Sequence, residues 1–196
     1  DVMTHAIEAF ISTNNNPFAR CYANKAVELV FRSLYPSYVN GSDLEAKGSM
    51  QIASCMAGIA FNSAGLGITH SIAHAFGAMF HLPHGLANAI VLPYVIKFNG
   101  QDDKVQHQYA RLLSGSGILN VSGNATETLY NSVVALSASL NIPVSLKAAG
   151  VSEADYLGAR EEMLDKAMAD ICTTTNPVDV TREKMQGVMD QAYYGV

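Results

Sequence analysis

Charge is scarce in this sequence, and basic charge is scarcest. Asp, Glu, Lys and Arg make up 15% of its 196 residues, with 12 Lys or Arg against 17 acids. A formal net charge of −5 offers no basic field to a phosphate backbone, which argues against nucleic-acid partners. The apolar share of 49% excludes a disordered chain or a coiled-coil rod. Cysteine is also rare: Cys21, Cys55 and Cys172 are odd in number and far apart, with no CxxC spacing. A reduced, cytoplasmic protein is expected on that basis. No run alternates as a strand, no repeat stands out, and no basic stretch followed by an apolar run marks a signal peptide. An initial Met is missing too. Asp1 heads a segment, DVMTHAIEAFIST, that reads as the inside of an amphipathic helix through Val2, Ala6, Phe10 and Ile11. The first helix is therefore expected to be truncated at its start, in a piece of a longer protein.

What is present is helical patterning. Pro17 breaks the chain after Asn14–Asn16, and a second helix is expected from about Phe18 to Tyr35, ended by Pro36. Ser42 and Glu45 have the spacing of a capping box that opens a third helix, running to the glycines at 65 and 67. From Gly48 to Ile96 there is no Asp, Glu, Lys or Arg. Polar interruptions such as Gln51, Asn62 and Asn88 break this stretch too often for a membrane span, so core helices covered on all sides are expected. Further on, Lys104–Leu113 is amphipathic, 114–124 is a surface loop and Thr126–Leu140 is helical. Ser152 and Thr181 cap two last helices, on either side of a polar loop, Cys172–Pro177. The expected architecture is all-α, one domain over residues 1–196 with roughly seven to nine helices.

Four of the six histidines, His70, His74, His81 and His84, fall in that charge-free stretch. His70 and His74 share a helix face at i,i+4, and Pro83 breaks the helix so that His84 can turn back toward them. His5 follows Asp1 by the same four residues. Carboxylate oxygen with imidazole nitrogen suits Fe(II) or Zn(II). By spacing alone, satisfied core histidines account for the pattern as well as a metal site does. The zinc-protease helix is excluded, because Ser71-Ile72-Ala73 supplies no Glu between the two histidines.

The segments DVMTHAIEAF (1–10), AGIAFNSAGLGITHSIAH (57–74) and LPHGLANA (82–89) together resemble the iron-containing (group III) alcohol dehydrogenase family. The likeness is dense from residue 1 to about Asn99 and resumes at Cys172–Pro177. It implies the helical C-terminal domain of the iron-containing alcohol dehydrogenase and dehydroquinate synthase-like fold. That domain would carry a divalent metal on Asp1, His5, His70 and His84, with His74 beside the nicotinamide as catalytic and cofactor-binding residue. Iron is the metal implied first, with zinc the alternative, and NAD or NADP is the coenzyme of the full-length parent.

Two departures stand out. No GxGxxG or Gly-Gly-Gly-Ser run occurs, so the N-terminal dinucleotide-binding domain is absent, and this chain alone is expected to be inactive. Val178 follows Pro177 where the family often has Arg, which puts the role of the late loop in doubt. The implied reaction is hydride transfer between a small alcohol and its aldehyde or ketone. The alternatives are a zinc-dependent, glycerol-type polyol dehydrogenase and a non-catalytic, self-associating helical fragment. With its partner domain missing, the chain should expose apolar surface and form a homo-oligomer. A carboxylate at position 1 is expected to be poorly held. His81 and His107 are expected to be incidental.

Overall fold

The computed structural model describes residues 1–120 and 123–196. Among these, the secondary structure is nine α-helices and one 3-10 turn, with no strand. The helices are α1 (Val2–Ile11), α2 (Pro17–Val39), α3 (Leu44–Ala64), α4 (Ile68–Phe80), α5 (His84–Asn99), α6 (Asp103–Gly115), α7 (Ala125–Ser139), α8 (Glu153–Ala169) and α9 (Arg182–Tyr194); the 3-10 turn is Ile171–Thr175. No single described helix is long and apolar enough to cross a membrane.

Most helix starts are written locally. Asn16 accepts the Ala19 N–H at 3.0 Å ahead of Pro17, and the Ser152 and Thr181 hydroxyls accept the N–H groups of Asp155 and Lys184. Several expectations need correction. The cap of α3 is Asp43, which accepts the Ala46 N–H at 2.9 Å, and not Ser42. Asp outcompetes Ser here because it stands directly before the first helical residue. Pro36 does not end α2. The helix runs on to Val39, and Pro36 itself accepts the Asn40 N–H; in an exposed last turn, one missing donor is tolerated. The loop expected at Cys172–Pro177 begins as the 3-10 turn, with Asp170 accepting the Cys172 N–H. Of the loop expected at 114–124, residues 116–120 and 123–124 lie outside helices, and Val121 and Ser122 lie outside the described residues.

Two apolar clusters make up the core. One joins α1, α2, α3, α6 and α7, where buried alanines (Ala6, Ala19, Ala23, Ala57, Ala60) let the helices approach closely; the other joins α4, α5, α8 and α9 around Phe76, Tyr156 and Tyr193. Helix α5 belongs to both. Leu92 and Ile96 face the first cluster while Ile90, Val91 and Val95 face the second, which is why this helix is apolar all round. The charge-free stretch is thus only partly a covered core. Helices α4 and α5 are mostly buried, with His74, Ala78, His84 and Lys97 exposed, whereas α3 buries one face and shows Gln51, Ile52, Cys55 and Ile59 to solvent. Helix α1 differs in the other sense, since eight of its ten residues are buried, Glu8 among them.

Candidate metal centre

Three helix starts meet at one point. Asp1 stands directly before α1 and His5 lies in its first turn, His70 comes from the first turn of α4 and His84 from the first position of α5. Local signals make this convergence. Gly65 ends α3 with φ +79, a conformation few other residues adopt, and the chain re-enters a helix at Ile68. His81 ends α4 in the left-handed region at φ +53, and Pro83 then starts α5 with His84 at its head.

Asp1 Oδ1 lies 3.7 Å from His5 Nε2, 3.6 Å from His70 Nε2 and 3.4 Å from His84 Nε2. One donor atom from each of the four residues lies within 4.8 Å of the other three. Hydrogen-bonded pairs would sit at 2.7–3.2 Å, so these atoms are gathered without bonding one another. Donors about 2.1 Å from a shared ion stand about 3.4 Å apart in a tetrahedron, and the carboxylate-to-imidazole distances match that edge. His70 Nε2 is buried and has no hydrogen-bond partner, an arrangement that is costly unless something else takes its lone pair. The four side chains fit a divalent ion.

A carboxylate behind His70 sets which of its nitrogens faces the cluster. Glu8, only 2% exposed, accepts the Thr69 N–H at 2.7 Å through Oε1 and takes His70 Nδ1 at 2.6 Å through Oε2. With Nδ1 donating to Glu8, Nε2 keeps its lone pair and points it at the donor set. Burial, and then the neighbouring His70 and amino terminus, lower the His5 pKa to about 3, so this imidazole is neutral and able to ligate at neutral pH. Burial, followed by the charges of His70 and His74, lowers His84 as well. Asn88 is buried and donates to His84 Nε2 at 3.0 Å and to Asp1 Oδ1 at 3.3 Å, tying α5 to the start of α1.

His74, one turn beyond His70, stands beside the four donors, its ring stacked on His84 with centroids 5.4 Å apart. Its Nδ1 lies 2.8 Å from Asp170 Oδ2. Burial alone would push the Asp170 carboxyl up, but hydrogen bonds from His74 and from Cys172 outweigh it and hold the pKa below the ordinary value. Burial, and then Asp170, push the Cys172 thiol up to about 12. His81 is exposed at the end of α4 and His107 is exposed on α6. Glu8, Asn88 and Asp170 are the residues that sequence reasoning missed. Glu8 left one signal: every residue of α1 within three positions of it is apolar except His5, a member of the cluster, so the helix offers an acid little polar face.

The late loop has a structural role despite Val178. Asn176 and Asn99 exchange amide hydrogen bonds at 2.9 and 3.2 Å, and Asn176 Oδ1 also accepts the Ile68 N–H at 3.4 Å. The Thr175 hydroxyl donates to the Leu66 carbonyl at 2.6 Å, and the Thr13 N–H donates to the Thr175 carbonyl at 3.0 Å. The loop therefore staples the end of α1, the start of α4 and the end of α5 around the site.

Fold and donor set together define an all-helical unit whose helix starts gather three imidazoles and a carboxylate at ion-ligand spacing. The model of the Fe-containing alcohol dehydrogenase family, C-terminal, matches residues 1–193. The chain belongs to the iron-containing alcohol dehydrogenase family. It is 40% identical over 199 aligned residues to an NADPH-dependent butanol dehydrogenase of Clostridium saccharobutylicum, covering 100% of this chain and 50% of that protein. A crystal structure of 1,3-propanediol oxidoreductase superposes with a TM-score of 0.89 at 34% identity, covering 98% of this chain and 50% of the other. The iron-containing alcohol dehydrogenase of Thermococcus thioreducens also superposes at 0.89, with 33% identity over 100% of this chain and 49% of its own. The chain spans about half the length of the curated relatives it matches. This agrees with the all-helical C-terminal fold that the sequence implied.

Proposed function

We propose that this chain is the metal-binding half of a cytoplasmic, NAD(P)-dependent alcohol dehydrogenase that interconverts a small alcohol and its aldehyde or ketone. Asp1, His5, His70 and His84 hold the ion, with Fe(II) first and Zn(II) as alternative. The observation that carries this reading is the orphaned, buried His70 Nε2, 3.6 Å from Asp1 Oδ1 and within 4.8 Å of a donor atom on each of His5 and His84. When bound, the ion supplies a Lewis acid that lowers an alcohol's pKa and polarises a carbonyl. Hydride acceptance belongs to a nicotinamide, held by a dinucleotide-binding domain that these 196 residues do not contain. The chain alone is inactive for that reason.

The chain's own residues do the rest. Asp1 brings one negative charge to the donor set, and Glu8 a second behind His70, which suits a divalent cation buried among neutral imidazoles. Helices α4 and α5 exclude water from the inner side of the site. The outer side carries His74, 44% exposed at its side chain, which would face a bound nicotinamide and relay the alcohol proton toward solvent.

Elemental analysis of anaerobically prepared protein tests this reading beside a His70→Ala variant. We expect about one Fe or Zn per chain, lost in the variant. No metal in either protein, under conditions where the longer protein also holds none, would overturn it. Alcohol oxidation with NAD or NADP is then measured on the longer protein.

A further inference from the structure

We propose that Asp170 is a positioning residue that holds the His74 imidazole in one tautomer, with the proton on Nδ1 and the lone pair on Nε2. The role given to that lone pair rests on the dehydrogenase reading above; the tautomer itself does not.

The geometry carries the assignment. Asp170 Oδ2 lies 2.8 Å from His74 Nδ1. The carboxylate is not free to adjust to the ring, because its other oxygen is already committed. Oδ1 accepts the Cys172 N–H at 2.8 Å and lies 3.4 Å from the Ser71 hydroxyl, which donates to it. Asp170 also caps the 3-10 turn that the late loop staples to α1 and α4. An ionised carboxylate can only accept, so the ring nitrogen facing it must donate. Free imidazole favours the opposite arrangement, with the proton on Nε2, so the pairing with Asp170 selects the less common form.

The same device appears one helical turn earlier. Glu8 holds His70 Nδ1 from α1, and Asp170 holds His74 Nδ1 from the junction between the end of α8 and the 3-10 turn. Two carboxylates remote in sequence thus leave two neighbouring Nε2 lone pairs with no hydrogen-bond partner among the described residues. His70 presents its lone pair to the donor set, and His74 stands beside it with its own uncommitted. In the proposed reaction an alcohol R2CHOH loses hydride from carbon to an oxidised nicotinamide and its hydroxyl proton to His74 Nε2, giving the carbonyl compound and reduced nicotinamide. The imidazolium then passes that proton to water. A proton already resident on Nε2 would block the transfer.

An Asp170→Asn substitution tests this with almost no change of shape. The backbone N–H of Cys172 can only donate, so the amide must turn its oxygen toward Cys172 and its NH2 toward His74. Nδ1 then has to accept, and the proton moves to Nε2. The measurement is long-range proton–nitrogen correlation NMR on the metal-free chain, at a pH well above the ordinary imidazole value of about 6.5. In the unsubstituted chain we expect the pyrrole-type nitrogen at Nδ1 and the pyridine-type nitrogen at Nε2. The two assignments should exchange in Asp170→Asn, with no loss of helix content. Asp170→Ser, which still caps the turn but cannot reach the ring, should give a mixture dominated by the proton on Nε2. Unchanged assignments in Asp170→Asn, or a proton on Nε2 in the unsubstituted chain, would overturn the proposal.

A second readout separates the two levels of the argument. In the longer dehydrogenase, Asp170→Asn should lower kcat about 100-fold or more, with KM and metal content unchanged. A longer protein without alcohol dehydrogenase activity sinks the functional reading and leaves the tautomer assignment standing. An active one that tolerates the exchanged tautomer at full kcat sinks the positioning role.

Discussion

Glu8→Gln is the perturbation that isolates how this fold prepares its donor set. The substitution keeps the volume of a side chain that is 2% exposed, so packing changes little. Its consequence is electronic. The Glu8 Oε1 position faces the Thr69 N–H at 2.7 Å, a group that only donates, so the glutamine must place its carbonyl there and its NH2 against His70 Nδ1. That forces the His70 proton onto Nε2, the nitrogen that faces Asp1 Oδ1 at 3.6 Å. The lone pair that would bind the ion is lost, and one negative charge near the ion goes with it. Changes to residues that orient a ligand cost 10–100-fold in metal affinity, about 1.4–2.7 kcal/mol, and the forced tautomer belongs at the upper end. Competition titration of Zn(II) against a chromophoric chelator reads this directly on the isolated chain. Glu8→Ala is the harsher control. It leaves the Thr69 N–H and His70 Nδ1 buried without partners, at about 1–3 kcal/mol each, and should show in urea unfolding as well as in metal binding. If Glu8→Gln binds Zn(II) with unchanged affinity while folding normally, the orientation argument for His70 is wrong.

Acid should destabilise the metal-free chain earlier than its carboxylates alone would. His5 is held at about 3 in the fold against about 6.5 unfolded, so the unfolded chain takes up a proton that the folded one refuses. Its contribution is therefore complete above about pH 6.5 and falls by up to about 1.4 kcal/mol per pH unit as pH drops toward 3. Urea midpoints should decline across that window, with His84 adding to the fall, and should decline far less in His5→Gln. Tyr109→Phe should leave stability unchanged or raise it by about 1 kcal/mol, because the Tyr109 hydroxyl is buried without a partner; thermal unfolding decides, and a clear loss would mean that this hydroxyl is satisfied in solution. Gly67→Ala should lower both stability and metal affinity, since a Cβ there would stand 2.9 Å from Glu8 Oε1 and 3.0 Å from Asn176 Oδ1. A Gly67→Ala chain that melts and binds zinc as before would show that Glu8 has room to move.

The parts of this molecule legible in its sequence are those written within one turn of chain. The caps at Ser152 and Thr181, the breaks at Pro17 and Pro83 and the i,i+4 pairs Asp1–His5 and His70–His74 are local statements, and a linear reading can follow them. Where local rules compete, that reading slips by a residue or a turn, as at Asp43 over Ser42 and at Pro36 inside the last turn of α2. What stays hidden is the identity of the atom each histidine offers. That depends on Glu8, 62 residues before its partner His70, and on Asp170, 96 residues after His74. Neither spacing obeys a periodicity, and a lone acid in a helix is by default a solvated one. Spacing names ligand residues because it is a property of a helix face; tautomers belong to the packing between helices. A search for such sites gains more from asking where a mostly apolar, buried segment carries a single acid, as α1 does with Glu8, than from asking for one more histidine. In this chain that question leads from α1 to His70, and from His70 to the only lone pair in the donor set that is both buried and without a hydrogen bond among the described residues.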